Sequence, residues 1–399
     1  MEMASQAGLN ALSGLRVLDL TRVRAGPACC RIFADFGADV IKIDATAGAD
    51  PNEGMSGPRH GYDMLNLHRN KRSLTLNLKK PEGLDIFMRL VRTADIVVEN
   101  FRPDVKDRLG IGYAALRAVN KRIILASISG FGQDGPYATL PGFDQIAQGM
   151  GGLMAVTGLP GQGPVRAGAA VADISSGLYA AIGILVALQE RAASGEGQWV
   201  HSSLLEAQIA VLDFQAARYL VDGVVPEQSG NDHPYSTPMG VFATADGFIN
   251  LGVGGDGHWK NLCGLLKMPD WASDPKFATG EARFKNRPEV RSMIEPIFKA
   301  RSSKEWMLDL ASVGVPAGPI YKMNEVFDDP QVRHLGIAVP CPHPARGDIS
   351  LVGQPVTLSR TPASMQKPSP DSGEHTDDLL DELGFSAEAK AHLRNVGAV

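Results

Sequence analysis

The sequence predicts an α/β protein with a large, doubly wound, Rossmann-like parallel-sheet domain and a smaller α/β domain. Three observations lead there. Short β-branched runs alternate with helical segments between residues 15 and 128, the pattern of a parallel sheet with crossover helices. A stretch rich in Gly, Pro, Ser and Asn, residues 223–238, then breaks the helical pattern. The length of 399 residues, with 44% apolar and 21% charged side chains, is ample for two cores.

Residues 15–20, Leu-Arg-Val-Leu-Asp-Leu, read as the first strand. A helix opens at Gly26-Pro27 and runs through Phe36, with Pro near its first turn and Gly37 just past its end. Residues 39–43 form a second strand, Pro81 starts a helix to about residue 94, and residues 95–99 and 123–128 are two more strands. The apolar run 177–188 is too short to cross a bilayer and reads as a buried helix. A long helix over 204–221 closes the first domain, placed at 1–225. The second domain, 226–330, holds a strand at 248–251 and helices near 258–266 and 289–299. Residues 331–399 are expected to return to the large domain. Within them 340–346 reads as a linker, 358–373 as an extended surface segment, and 376–383 as an acidic amphipathic helix. Residues 1–10 read as a short disordered lead with the features of neither a signal nor a transit peptide. No internal repeat is visible.

Net charge is −5, which argues against a generic nucleic-acid or membrane surface. The four cysteines, Cys29, Cys30, Cys263 and Cys341, form no CxxC, so neither zinc nor a disulfide framework is expected. Cys29 and Cys30 read as core thiols, and the usage suggests a reducing, cytoplasmic compartment. The nine histidines include no HExxH, and no metal is expected. The first strand–helix turn, residues 21–27, lacks GxGxxG and places Pro27 where a helix N–H would meet a pyrophosphate. A dinucleotide oxidoreductase is therefore a weak candidate despite the fold. The glycine cluster at 252–257 is read as a strand-to-helix turn, with His258 and Trp259 as packing residues.

Asp173 stands where the segment 170–173 gives way to the apolar helix. Asp is a preferred N-cap, because its oxygens accept bonds from the free N–H groups of the first turn. It is also a carboxylate that a helix N-terminus keeps ionised, and an ionised carboxylate can attack an activated acyl group. The residue type alone leaves both roles open.

Five segments in order carry a resemblance. They are Leu12-Ser13-Gly14-Leu15-Arg16-Val17-Leu18-Asp19 with Ala25-Gly26-Pro27; Gly37-Ala38-Asp39-Val40-Ile41-Lys42-Ile43; Asn70-Lys71-Arg72-Ser73 with Lys80-Pro81-Glu82-Gly83; Val98-Glu99-Asn100-Phe101-Arg102-Pro103; and Gly142-Phe143-Asp144 followed by Gly151-Gly152. Gly195-Glu196-Gly197-Gln198 and Gly373-Glu374-His375-Thr376 fit as well. Together they resemble the class III CoA-transferase family, which includes formyl-CoA transferase and the related α-methylacyl-CoA racemases.

The resemblance implies an interlocked homodimer that uses acyl-CoA and a small carboxylic acid, with no tightly bound cofactor. It places Asp173 on the catalytic aspartate, which attacks the thioester to form an anhydride and then an aspartyl-CoA thioester. Racemases of this family carry a Gly-His-Asp triplet, and here Phe143 stands in place of that His, so one of two proton-transfer bases is missing. Transferase is therefore preferred. The alternatives are an acyl-CoA racemase and a CoA-binding protein without catalysis, the latter disfavoured by the intact Asp173. Asp144 is expected to line the active site with Phe143, or else to be a capping or surface Asp. Val23, Asn100, Phe101, Arg108, Leu76, Leu109 and Leu204 match CoA-contact positions, and Lys71 and Arg72 would add positive charge for phosphates unless they are solvated surface charges. Relatives often carry a basic residue just after the second strand, where this chain has Asp44-Ala45. Arg24 replaces the usual Leu or Gln, and its planar fork suits the distal carboxylate of a dicarboxylic substrate. Its other reading is an ion pair with Asp144 or Asp173, or a solvent-facing side chain. The loop 230–236 corresponds to a mobile lid in relatives, from which His233 or Tyr235 would reach substrate; an ordinary interdomain loop is the alternative.

Overall fold

The structure is a computed structural model that describes residues 10–48, 54–55 and 57–399. The lead expected at 1–10 therefore lies outside the described residues except for Asn10. Six strands make one sheet, all parallel: β1 (Arg16–Asp19), β2 (Asp39–Asp44), β3 (Arg72–Thr75), β4 (Ile96–Glu99), β5 (Ile124–Ser129) and β6 (Trp199–Ser203). Their order is β3-β2-β1-β4-β5-β6, with Val17 opposite both Val40 and Ile96. The order reverses between β1 and β4. In such sheets a crevice opens beyond the carboxyl ends of those two strands.

Every residue of β4 and β5 is buried, which is why these runs are apolar with little alternation. β3 and β6 are the edges, and neither was expected. Arg72-Ser73-Leu74-Thr75 is only four residues long, and Trp199-Val200-His201-Ser202-Ser203 alternates exposed and half-buried until the buried Ser203 at its end. Neither carries the apolar density that marks a strand in sequence.

The helices between the strands include α1 (Ala25–Asp35), α2 (Tyr62–His68), α3 (Pro81–Val91), α4 (Pro103–Arg108) and α5 (Tyr113–Val119). Next come α6 (Asp144–Met150), α7 (Val171–Ser194) and α8 (Leu204–Val211). The helix expected over 204–221 is broken: Asp213 has φ of 44°, and a separate helix runs Phe214–Asp222. The buried helix expected at 177–188 is buried on one face only. α7 spans 24 residues, long and apolar enough to cross a membrane by length and composition, yet its small side chains Ala172, Ser176, Gly177, Ala180, Ala181 and Ala187 pack inward. Leu178, Tyr179, Ile182, Leu185 and Val186 are exposed on its other face.

The chain divides into two compact units. One comprises residues up to Leu153, Ala167–Ala217 and Arg333–Val399; the other comprises Met154–Arg166 and Arg218–Val332. The break thus falls at 217, inside a helix, rather than at 225, and 154–166 joins the second unit. In the first unit the C-terminal residues Leu379, Leu380, Leu393 and Ala398 share a core with Ile41, Leu74 and Ile86. The linker expected at 340–346 lies in a β-hairpin, Ala338–Pro340 pairing with Ser350–Val352. Cys29 and Cys30 are core thiols in the first unit, fully buried. The second unit has an antiparallel sheet of β7 (Met239–Ala243), β8 (Phe248–Gly252) and β9 (Ala317–Pro319), packed on Trp259, Phe298 and Trp306. Its helix Ser303–Ser312 was not among the expected elements, although its capping box, Ser302 with Glu305, is a sequence signal.

Candidate active site

A cavity of about 1420 Å³ opens in the first unit where the strand order reverses. It is larger than the usual pocket for a small molecule, about 300–1,000 Å³, and suits a long ligand. The turn after β1 (residues 20–25) and the segment after β4 (Asn100–Pro103, with Arg108 and Leu109 of the following helix end) both line it.

The β1 turn is held from beneath by buried charge. Asp19, fully buried, accepts bonds from the Thr21 N–H (2.9 Å) and from Lys71 Nζ (2.7 Å). Burial works to raise the Asp19 carboxyl, but Lys71, Lys42 and His68 outweigh it and hold it well below the usual carboxylate range. Lys42 Nζ donates to the Thr21 carbonyl (3.0 Å). Asn100 spends its amide on the backbone of Arg22, accepting its N–H at 2.9 Å and donating to its carbonyl at 2.8 Å. With the turn fixed at both ends, Val23 takes a left-handed conformation, φ of 61°, which costs a β-branched residue about 1–2 kcal/mol. Such strain persists where the surroundings over-determine it.

α7 supplies Asp173. Gly177 lies one turn further along, and a Cβ there would come within 2.4 Å of the Ala25 carbonyl oxygen. The missing side chain lets α7 approach the start of α1 closely, so Asp173 enters the cavity beside Arg24. A second close approach, between Gly130 and Gly142, brings Phe143 to the cavity wall: a Cβ on Gly130 would sit 2.9 Å from the Gly142 Cα.

Asp173 is not the N-cap. The helix begins at Val171, the cap position is Ala170, and no side chain of the cap serves the first turn. That work is done by Asp144, whose Oδ1 accepts the Ala172 N–H at 2.9 Å and the Asp173 N–H at 3.4 Å. Gln148 donates to the other Asp144 oxygen (2.7 Å) and, with its own carbonyl, accepts the Ala167 N–H (3.0 Å). The Asp173 carboxylate itself has no hydrogen-bond partner among the described residues. Burial and the neighbouring Asp144 charge push its pKa up to about 6, while Arg24 pulls it down. At neutral pH it is ionised, desolvated and unencumbered, the state a carboxylate nucleophile requires.

Of the other residues singled out from sequence, Val23, Arg24, Leu76, Phe101, Arg108, Leu109, Phe143 and Leu204 line the cavity with Asn100. Three expectations need correction. Lys71 is fully buried on Asp19, and Arg72 is paired with Asp39 and Glu382; neither reaches the cavity. Asp144 lies behind Asp173, not on the wall. Arg24 is paired neither with Asp144 nor with Asp173: its Nη2 donates to Asp63 at 2.8 Å. The cavity's exposed cations are instead Lys79, Arg102 and Arg108, with Arg22 stacked 5.6 Å from the Phe101 ring centroid. Lys79 follows β3, a strand that sequence reasoning missed, and lines the same cavity as Ala45. His233 belongs to the second unit, where its Nδ1 accepts the Ser236 N–H (3.2 Å) and its ring meets Tyr235 edge-on at 4.6 Å. Among the described residues no group of three or more His, Cys, Asp or Glu side chains is placed to hold a metal ion.

The model of CoA-transferase family III matches residues 12–376. A succinate–glutarate CoA-transferase of Agrobacterium fabrum is 42% identical over 381 residues, 93% of this chain and 95% of that protein. The human succinyl-CoA:glutarate CoA-transferase is 34% identical, covering 97% and 90%. A succinyl-CoA–D-citramalate CoA-transferase of Chloroflexus aurantiacus is 35% identical, covering 98% and 99%. A crystal structure of a CAIB/BAIF family protein from Brucella suis superposes with a TM-score of 0.81 at 36% identity, covering 94% of this chain and 100% of that one.

Proposed function

Given that the chain belongs to CoA-transferase family III, we propose that it moves CoA reversibly between short dicarboxylic acids through covalent intermediates on Asp173. The observation that carries this reading is the Asp173 carboxylate, ionised at neutral pH, on the wall of a cavity edged with cations. The similar proteins named for succinate, glutarate and citramalate support the choice of acids.

An Asp173 oxygen attacks the thioester carbonyl of the donor acyl-CoA, and the C–S bond breaks, giving an aspartyl anhydride and CoA thiolate. The thiolate attacks the aspartyl carbonyl, forming an aspartyl-CoA thioester and releasing the donor as its carboxylate. The acceptor carboxylate attacks that thioester, giving a new anhydride and the thiolate again. The thiolate then attacks the acceptor's carbonyl, yielding acceptor acyl-CoA and free Asp173. Each intermediate keeps an activated acyl group, so no external energy source enters. Lys79, Arg102 and Arg108 are assigned to the phosphates of CoA, and Phe101 with Leu76, Leu109 and Leu204 to its apolar contacts. Phe143 has no proton to transfer, which weighs against racemisation.

We also infer a homodimer, interlocked as the family resemblance implies. The support is the apolar face of α7, where Val186 is 64% and Ile182 55% exposed. Four free, buried cysteines fit a reducing, cytoplasmic setting. The transfer reading is tested by incubating the enzyme with succinyl-CoA and isotopically labelled succinate. Label enters the thioester, and hydroxylamine added during turnover traps Asp173 as a hydroxamate. Deuterium appearing at the α-carbon without label exchange would point to racemisation. Unimpaired exchange by Asp173→Asn would sink the proposal.

A further inference from the structure

Arg24 and Asp63 form a half-buried pair that differs from the buried Arg69–Asp35 pair of the first unit. Arg69 has every guanidinium nitrogen engaged, on Asp35 and Asn66, and is fully buried. Arg24 offers only Nη2, which donates to both Asp63 oxygens at 2.8 Å; its Nε and Nη1 have no acceptor among the described residues. The two side chains are 30% and 31% exposed, so the carboxylate on Arg24 can be exchanged for another without unsealing a core. Arg24 lines the cavity alongside Asp173, whereas Asp63 does not line it.

The charges around this spot discriminate between acids. A dicarboxylic acid brings a second negative group into a cavity that already holds Asp173, with Asp144 directly behind it. Repulsion excludes that group unless a cation receives it. A monocarboxylic acid of equal length raises no such demand. Arg24 is the cation beside Asp173, and it holds the Asp63 carboxylate through Nη2 alone, so a substrate carboxylate that takes two guanidinium nitrogens would replace a weaker contact.

We propose that Asp63 is the resting partner of Arg24, displaced when the far carboxylate of a dicarboxylic substrate takes the guanidinium, and that this exchange selects dicarboxylic over monocarboxylic acids. The inference rests on the acyl-transfer reading of the cavity. Asp63 acts as a competitor built into the protein: it keeps Arg24 neutralised in the empty site and sets the affinity a substrate must exceed. Removing it therefore tightens dicarboxylate binding, the opposite of what a purely structural ion pair would do.

The test measures calorimetric binding of glutarate and of pentanoate to the CoA-saturated enzyme, without turnover, for wild type, Asp63→Asn, Arg24→Lys and Arg24→Leu. Thermal melting confirms that each variant is folded. Asp63→Asn is expected to bind glutarate several-fold more tightly. Arg24→Leu is expected to bind it at least about tenfold more weakly, with Arg24→Lys between, because it keeps the charge and loses the fork. Pentanoate affinity stays level throughout. Glutarate binding that is unchanged or weakened in Asp63→Asn overturns the inference, as does an unchanged glutarate-to-pentanoate ratio in Arg24→Leu or no glutarate binding by any form. Because binding is read without chemistry, a wild type that binds glutarate in this order yet fails to exchange CoA refutes the transfer reading alone.

Discussion

Replacing Asp173 by Asn is expected to abolish transfer and to stabilise the protein at the same time. The folded-state pKa of this carboxyl is raised from 3.8 to about 6 by burial and by Asp144. A raised acid favours folding below its unfolded value, and that contribution is lost as pH rises through the folded value. The window therefore runs from pH 3.8 to about 6. Above it the native state carries the full cost of keeping the charge buried, about 3 kcal/mol. At pH 4.5 only about 1 kcal/mol of that cost remains. Asn has nearly the same volume and no charge, so Asp173→Asn should unfold at higher urea than wild type by about 2–3 kcal/mol at pH 7.5, shrinking to about 1 kcal/mol at pH 4.5. The assay is equilibrium urea unfolding of both proteins at the two pH values and equal protein concentration. A variant no more stable than wild type at pH 7.5, or an advantage that does not shrink on acidification, refutes the electrostatic account of the site.

The same charges set the pH profile. The acid limb of kcat/KM should fall at about pH 6 in wild type; Asp144→Asn should move it down and Arg24→Leu up, and limbs that stay put would contradict the assigned neighbours. Gly177→Ala drives a Cβ to 2.4 Å from a backbone oxygen of Ala25, so it should cost about 1–3 kcal/mol in urea unfolding and lower kcat by separating α7 from α1. Lys71→Met leaves Asp19 buried without its 2.7 Å partner and should cost about 3–5 kcal/mol, while adding Asp19→Asn should restore much of it; a double variant as unstable as the single one would show that the pair is not the cause.

The central strands and α1 were legible because their signals are local. Val-Ile runs, Pro27 near a first turn and Gly37 past a last one report the backbone directly. Asp173 was legible as a candidate through its place before an apolar helix and through the ordered family motifs. Its neighbours were harder. Lys71 and Arg72 look alike in sequence, yet one is buried under the β1 turn and the other is paired on the sheet edge. Asp63 lies in no motif, and only the path of α2 brings it to Arg24. Gln148, four residues after Asp144 on α6, is an i,i+4 partner whose spacing is visible in the sequence.

By itself the sequence determined the parallel α/β sheet, the missing GxGxxG and the family, and it singled out Asp173 as a candidate, because each depends on residue type and on ordered local motifs. The tertiary structure alone decided which carboxylate caps α7 and which remains free. It also decided which cations face the cavity and what Arg24 holds in the resting site. Those outcomes depend on distances of a few ångströms between residues far apart in the chain. Electrostatic and hydrogen-bond energies change steeply over such distances, and no local pattern encodes them.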